Sequence, residues 1–203
     1  MTVVRSTIGR LKNTLRGRVQ RWGSLRLKGM LWNREYASGK WDCCENTSGD
    51  SVYSYIERYC NSGGLLDLGC GSGNTGNELP PNKYDYYTGV DVSRVAIERA
   101  ALRSRQNGRG HLNQYFESDI ASYVPSREYD VILFRESIYY IARSKLPSTL
   151  ERYRRYLRRN GVFIVTVYAR DAFGWIVRFI EENHTVVERY WPATSSEVFL
   201  VFR

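Results

Sequence analysis

Leu65-Leu66-Asp67-Leu68-Gly69-Cys70-Gly71-Ser72-Gly73-Asn74-Thr75-Gly76 reads as a short buried strand, a glycine loop and the start of a helix. Gly63 and Gly64 bound the strand, and Leu65, Leu66 and Leu68 supply its apolar body. Glycines at 69, 71 and 73 allow a sharp turn and let a ligand approach without meeting a Cβ. Nicotinamide and flavin sites use such a loop too, so the carboxylates around it decide between ligands. Asp67 lies inside the strand just before the loop, where a pyrophosphate would be repelled and an ammonium group held. Further on, Tyr87-Thr88-Gly89-Val90-Asp91-Val92-Ser93 is a second apolar strand with an acid at its carboxyl end. A carboxylate there accepts hydrogen bonds from both ribose hydroxyls in nucleotide-binding α/β folds.

A zwitterionic nucleoside with a ribose and an amino acid tail suits both acids, and S-adenosylmethionine is that molecule. On these paired motifs, residues 32–203 resemble the class I S-adenosylmethionine-dependent methyltransferases. The resemblance implies an α/β fold. It would be a single Rossmann-like domain with a mostly parallel seven-stranded sheet, a reversed last strand and helices on both faces. It implies S-adenosylmethionine as cofactor, held by Asp67, Gly69, Cys70 and Gly71 of the first motif and by Asp91 and Val92 of the second. It also implies that Asp119, in Ser118-Asp119-Ile120, hydrogen-bonds the adenine amino group with Ile120 beside it. A helix-capping or turn aspartate is the competing account of Asp119. A bare strand–helix turn is the competing account of Gly69 to Gly73.

The chain of 203 residues suits one domain with a full core. No apolar run approaches the roughly 20 residues of a membrane span. Cysteines 43, 44, 60 and 70 lack zinc-site spacing, and the neighbours Cys43 and Cys44 are poor disulfide partners. Free thiols in a reducing compartment are expected, hence a cytoplasmic protein. The formal net charge is +9, and residues 1–34 hold nine Lys or Arg and no acid, so the whole excess lies there. Residues 1–31 are accordingly read as a basic amphipathic arm ahead of the domain at 32–203. Ile8, Leu11, Leu15, Val19 and Trp22 recur at helical spacing with Arg and Lys between them. Gly9, Gly17 and Gly23 each weaken that helix by about 1 kcal/mol relative to Ala. Three placements fit the pattern. The arm packs on its own domain or a second copy, lies on an anionic membrane, or serves nucleic acid or targeting. It lacks the continuous apolar core of a secretory signal, so export is not expected, and any membrane contact would be peripheral, on the inner face.

Trp32-Asn33-Arg34-Glu35-Tyr36-Ala37-Ser38-Gly39-Lys40-Trp41 is crowded with aromatics. It is similar to the Trp…Tyr…Gly…Trp segment that small methyltransferases fold over the cofactor. That similarity places Tyr36 by the sulfonium, which an aromatic face attracts; otherwise the tryptophans simply cover one end of the sheet. Residues 50–60 read as a helix capped by Asp50 or Ser51, with Val52, Tyr55, Ile56 and Tyr59 on its apolar face. A short helix from Asn74 stops at Pro80-Pro81, and Ser93 caps a helix to about Arg105. A basic helix is predicted up to Arg159, with Asn160-Gly161 as its stop, followed by a buried strand from Val162 to Tyr168. A helix from Asp171 to Asn183 and a closing strand pair, 185–191 and 197–202, complete the chain.

Tyr129 to Phe134 is the fourth strand, and Arg135-Glu136-Ser137-Ile138-Tyr139-Tyr140 follows at its carboxyl end, where ligands of open α/β sheets bind. A Glu followed three and four residues later by tyrosines resembles small nodulation-type N-methyltransferases. Glu136, Tyr139 and Tyr140 are therefore the candidate catalytic residues. Glu136 would orient or deprotonate an acceptor, or else hold Arg135 or a backbone amide. His111 and His184 both precede strands, which puts them at the amino ends, away from the cofactor. Metal-free transfer driven by proximity is favoured, because only Glu136 offers a carboxylate beside the fourth strand. No planar-amine motif such as Asn-Pro-Pro-Tyr follows it. The favoured acceptor is a small molecule or sugar, modified at oxygen or nitrogen. Methylation of nucleic acid or protein through the basic arm, and an inactive binding module, are the other two classes.

Overall fold

The computed structural model describes residues 15–168, 170–191 and 197–203. Two helices come first, α1 (Leu15–Trp22) and α2 (Leu25–Ala37), then α3 (Val52–Cys60). The alternating part runs β1 (Gly63–Leu68), α4 (Asn74–Glu78), β2 (Tyr84–Asp91), α5 (Arg94–Gln106), β3 (Asn113–Glu117) and β4 (Tyr129–Arg135). It ends with α6 (Leu146–Arg154), β5 (Leu157–Val167), α7 (Arg170–Asn183), β6 (Val186–Tyr190) and β7 (Val198–Phe202).

One seven-stranded sheet holds them in the order β3-β2-β1-β4-β5-β7-β6. β1 lies parallel between β2 and β4, whereas β7 runs antiparallel to both β5 and β6. Strand order reverses outward from β1 and β4, so their carboxyl ends diverge and leave the crevice in which such folds bind ligands. Side chains alternate across the central strands. Leu65, Val131, Leu133 and Ile164 pack on one face with α3, and Leu66, Ile132, Phe134 and Phe163 on the other with α6 and α7. From α7, Phe173, Ile176, Val177 and Ile180 are buried, as their spacing predicts. Ser93 caps α5 through the Ala96 N–H.

Three readings need correction. α6 ends at Arg154, and Asn160-Gly161 lies inside β5 rather than stopping a helix. The β4–β5 register steps from Tyr129↔Leu157 to Val131↔Val162, so β5 carries extra residues as a bulge. Gly161 is needed there for close approach: a Cβ would lie 2.9 Å from the Tyr129 carbonyl oxygen. α3 buries Val52, Tyr53, Ile56 and Cys60, with Tyr55 and Tyr59 half-buried against the same core as their spacing predicts. Ser51 sits at the cap of α3 without a side-chain hydrogen bond, and Asp50 turns to Arg135 instead. In the arm, Ile8 and Leu11 lie outside the described residues, while Val19 is half-buried and Trp22 exposed. The face of α1 turned inward carries Gly17 and Gln20.

Candidate active site

The carboxyl ends of β1, β2 and β4 open into a cavity of about 570 Å³. Its floor is the glycine loop, drawn over β2 by the Gly69 and Cys70 N–H groups, which donate to the Val90 carbonyl at 2.8 and 3.0 Å. Gly69 and Gly71 have φ of +88° and +54°, a left-handed backbone that favours glycine. A Cβ on Gly71 would also meet the Tyr36 hydroxyl at 2.6 Å. Asp67 is 1% exposed. Its Oδ2 accepts from the Tyr87 hydroxyl at 2.8 Å, while Oδ1 has no partner. Burial pushes this carboxyl up and the Tyr87 hydroxyl pulls it back. An unpartnered, buried carboxylate oxygen on the cavity wall is what an amino acid's ammonium group requires, so the residues fit the tail of S-adenosylmethionine. Asp91 is anchored by the Ser93 N–H on Oδ1 (2.8 Å) and the Gly71 N–H on Oδ2 (3.0 Å). Burial raises its pKa to about 6 against the pull of those two amides. Each oxygen keeps a second lone pair, and Asp91 lines the cavity with Val92.

Asp119 and Ile120 also line the cavity. Both oxygens of Asp119 are engaged, by the Lys28 ammonium at 2.6 Å and the Ala121 N–H at 2.8 Å. The turn account of Asp119 thus holds alongside its place on the wall. Tyr36, Trp32 and Trp41 form one aromatic cluster with centroids 5.4–6.4 Å apart, and Trp32 meets Tyr140 edge-on at 5.1 Å. All four rings line the cavity. Glu35 seats this wall. It accepts two hydrogen bonds from Arg16 (2.6 and 2.8 Å), one from Lys40 (2.9 Å) and one from the Trp41 indole (3.1 Å). Burial pushes Glu35 up, but Arg16 and Lys40 outweigh it and hold the carboxyl below its ordinary value.

Glu136, Tyr139 and Tyr140 come together beyond β4. Glu136 takes a left-handed φ of +53°, a strained conformation for a side chain of this size. Its carboxylate accepts from the Thr166 hydroxyl (2.9 Å), the Tyr168 N–H (2.8 Å) and the Tyr139 hydroxyl (3.3 Å). It therefore holds a backbone amide, whereas Arg135 pairs with Asp50 and the Tyr53 hydroxyl. Burial dominates the three donors and raises its pKa to about 7, where a carboxylate can take up a proton at neutral pH. Tyr139 stacks on Phe173 at 4.4 Å, and Tyr140 faces Trp32. Neither histidine lines this cavity; His184 packs between Phe179 and Phe202. Sequence reasoning missed Gln20, Lys28, Thr166 and Glu197 on the wall. Arg135 was signalled by its place at the end of β4. Nothing in the local pattern marked Gln20, whose amide is 1% exposed and unpartnered.

A family model described as a methyltransferase domain matches residues 66–163. Among solved structures, N-methyltransferase NodS from Bradyrhizobium japonicum WM9, in complex with S-adenosylhomocysteine, superposes with a TM-score of 0.67 at 20% identity. That match covers 86% of this chain and 97% of NodS. A methyltransferase from Clostridium acetobutylicum gives 0.66 at 14% identity, covering 84% and 97% of the two chains. At such identities these likenesses are of fold. In sequence, the mRNA cap guanine-N(7) methyltransferase of Cryptococcus neoformans is 30% identical over 122 residues, covering 54% of this chain and 20% of the relative. The chain thus spans about a fifth of the length of the curated relatives it matches. Residues 66–163 thus match a methyltransferase domain, and the fold is that of the S-adenosylmethionine-dependent methyltransferases, whose cofactor is S-adenosylmethionine.

Proposed function

We propose that this protein methylates an oxygen or nitrogen of a small molecule or sugar. The observation that carries this is the unpartnered Oδ1 of buried Asp67, in a cavity shared with Asp91 and with Glu136. S-adenosylmethionine supplies a methyl group already activated by its sulfonium. Asp67 holds the ammonium of the tail, Asp91 the ribose hydroxyls, and the Asp119–Lys28 pair edges the adenine end. Tyr36, Trp32 and Trp41 exclude water and favour a cation beside their faces. Glu136 accepts the acceptor's proton, with Tyr139 fixing its carboxylate and Tyr140 bounding the acceptor. Much of the acceleration comes from holding nucleophile and methyl carbon in line.

Calorimetric titration with S-adenosylhomocysteine tests the first half, and a methyl-transfer assay on fractionated extract, with the product identified by mass, tests the second. Absence of binding at millimolar ligand by folded protein would sink the reading. A nucleic-acid acceptor is the second reading, favoured by the likeness to the cap methyltransferase and by the excess of nine positive charges. Phosphate contacts would make acceptor affinity fall steeply with salt, which a neutral small acceptor would not show. Among the described residues no helix is long and apolar enough to cross a membrane. Contact through residues 1–34, proposed as peripheral, takes its argument from the outer face of α1 and α2.

A further inference from the structure

α1 and α2 are built inside out. The side chains that they bury are polar: Gln20 is 1% exposed, Lys28 7% and Glu35 8%. Their attachments are polar too, with Arg16 on Glu35, Lys28 on Asp119, and the Ser93 hydroxyl donating to Asn33 Oδ1 at 2.8 Å. Four large apolar side chains are left in water: Trp22 (62% exposed), Leu25 (50%), Leu27 (50%) and Met30 (60%). An amphipathic helix packed on a domain has the opposite arrangement, and a clustered apolar surface marks an interaction site. Arg18 and Arg26 are exposed around this corner, and no acid occurs among residues 1–34.

Both chemistries must be met at once. A second copy of this chain would bring like charges together. A nucleic acid would take the arginines and leave Trp22, Leu25, Leu27 and Met30 in water. An anionic bilayer meets both, with apolar side chains in the interface and basic ones at the headgroups. Gln20 and Lys28, on either side of the corner in sequence, line the active-site cavity. We infer that the α1–α2 corner docks on an anionic lipid bilayer, and, resting on the proposed methyl transfer, that the acceptor is an amphiphile whose polar head enters the cavity from that surface.

The test is co-sedimentation of the full chain with vesicles of phosphatidylcholine alone or mixed equally with phosphatidylglycerol. Strong partition is expected onto the mixed vesicles at low salt and little onto the neutral ones. Each basic residue near an anionic surface contributes about a fivefold factor, so R18E/R26E should lower partition more than tenfold. W22S/L27S should lower it comparably. Both variants should keep the melting temperature and S-adenosylhomocysteine affinity of the parent, since none of these residues lines the cavity. Docking is overturned by no partition onto mixed vesicles, by equal partition of parent and variants, or by a salt-resistant dimer that W22S abolishes. The acceptor class is overturned if labelled methyl groups from cell extract enter only the water-soluble fraction. Failure to bind S-adenosylhomocysteine would instead defeat the proposed transfer and leave the vesicle result standing.

Discussion

Two carboxylates with raised pKa values make separable predictions. In the proposed site Asp91, raised to about 6, accepts from the two ribose hydroxyls in its ionised form. S-adenosylhomocysteine affinity should therefore be flat above neutrality and weaken by up to about tenfold per pH unit below 6. D91N should bind at least about tenfold more weakly, having lost charge-assisted hydrogen bonds, and without that pH dependence. Calorimetry across pH decides, and an inflection retained in D91N would assign it elsewhere. Glu136 is raised from 4.5 to about 7, so the ionised form is the disfavoured one in the folded state. Its contribution to stability is fully present below 4.5 and lost as pH rises through about 7. E136Q cannot ionise, so its melting temperature should gain on the parent over that interval. Its turnover should fall about a hundredfold or more while S-adenosylhomocysteine affinity holds. Loss of cofactor binding in E136Q would make Glu136 structural. The places of Asp67 and Asp91 on the cavity wall could be read in advance because each sits in a fixed register with a glycine loop or strand end. Gln20 could not, because the cavity it lines is built mostly from residues far along the chain.

The bulge in β5 shows where local patterns mislead. Asn160-Gly161 has the composition of a helix stop, but here the glycine serves close approach to the Tyr129 carbonyl, set by the partner strand. Pairing across strands overrode a local signal. The strand–loop–helix units around β1 and β2 were legible because their signals are contiguous, whereas the seating of α1 draws on a contact between separate helices, Arg16 on Glu35. E35A would leave Arg16, Lys40 and the Trp41 indole without this acceptor. The loss should cost about 1–3 kcal/mol, with faster tryptic cleavage within residues 16–26 and weaker S-adenosylhomocysteine binding as Trp41 loosens. Because the Glu35 pKa is depressed, its contribution is present above 4.5 and lost as pH falls through the folded value. The parent–E35A difference should narrow in acid. Unchanged proteolysis of E35A would show that α1 is held by other contacts.

In the whole molecule, one sheet with cores on both faces carries every site element on its carboxyl edge, and residues 15–41 close that edge from outside. Asp67, Asp91 and Asp119 lie on or just beyond three different strands, so a ligand spanning them ties β1, β2 and β3 together. Binding to the folded state alone stabilises by about 2.7 kcal/mol at a hundred times Kd. For a chain of about 200 residues, each kcal/mol moves Tm by about 2–4 °C, so saturating S-adenosylhomocysteine should raise Tm by roughly 5–10 °C. D67N turns a carboxylate into a neutral amide and would lose the proposed charge pair with the ammonium, so its shift at the same concentration should be at most about half as large. Adenosine lacks the ammonium, so it should shift the parent and D67N alike. That comparison separates recognition of the tail at Asp67 from general stabilisation of the sheet edge. Equal shifts of parent and D67N with S-adenosylhomocysteine would remove Asp67 from the cofactor site.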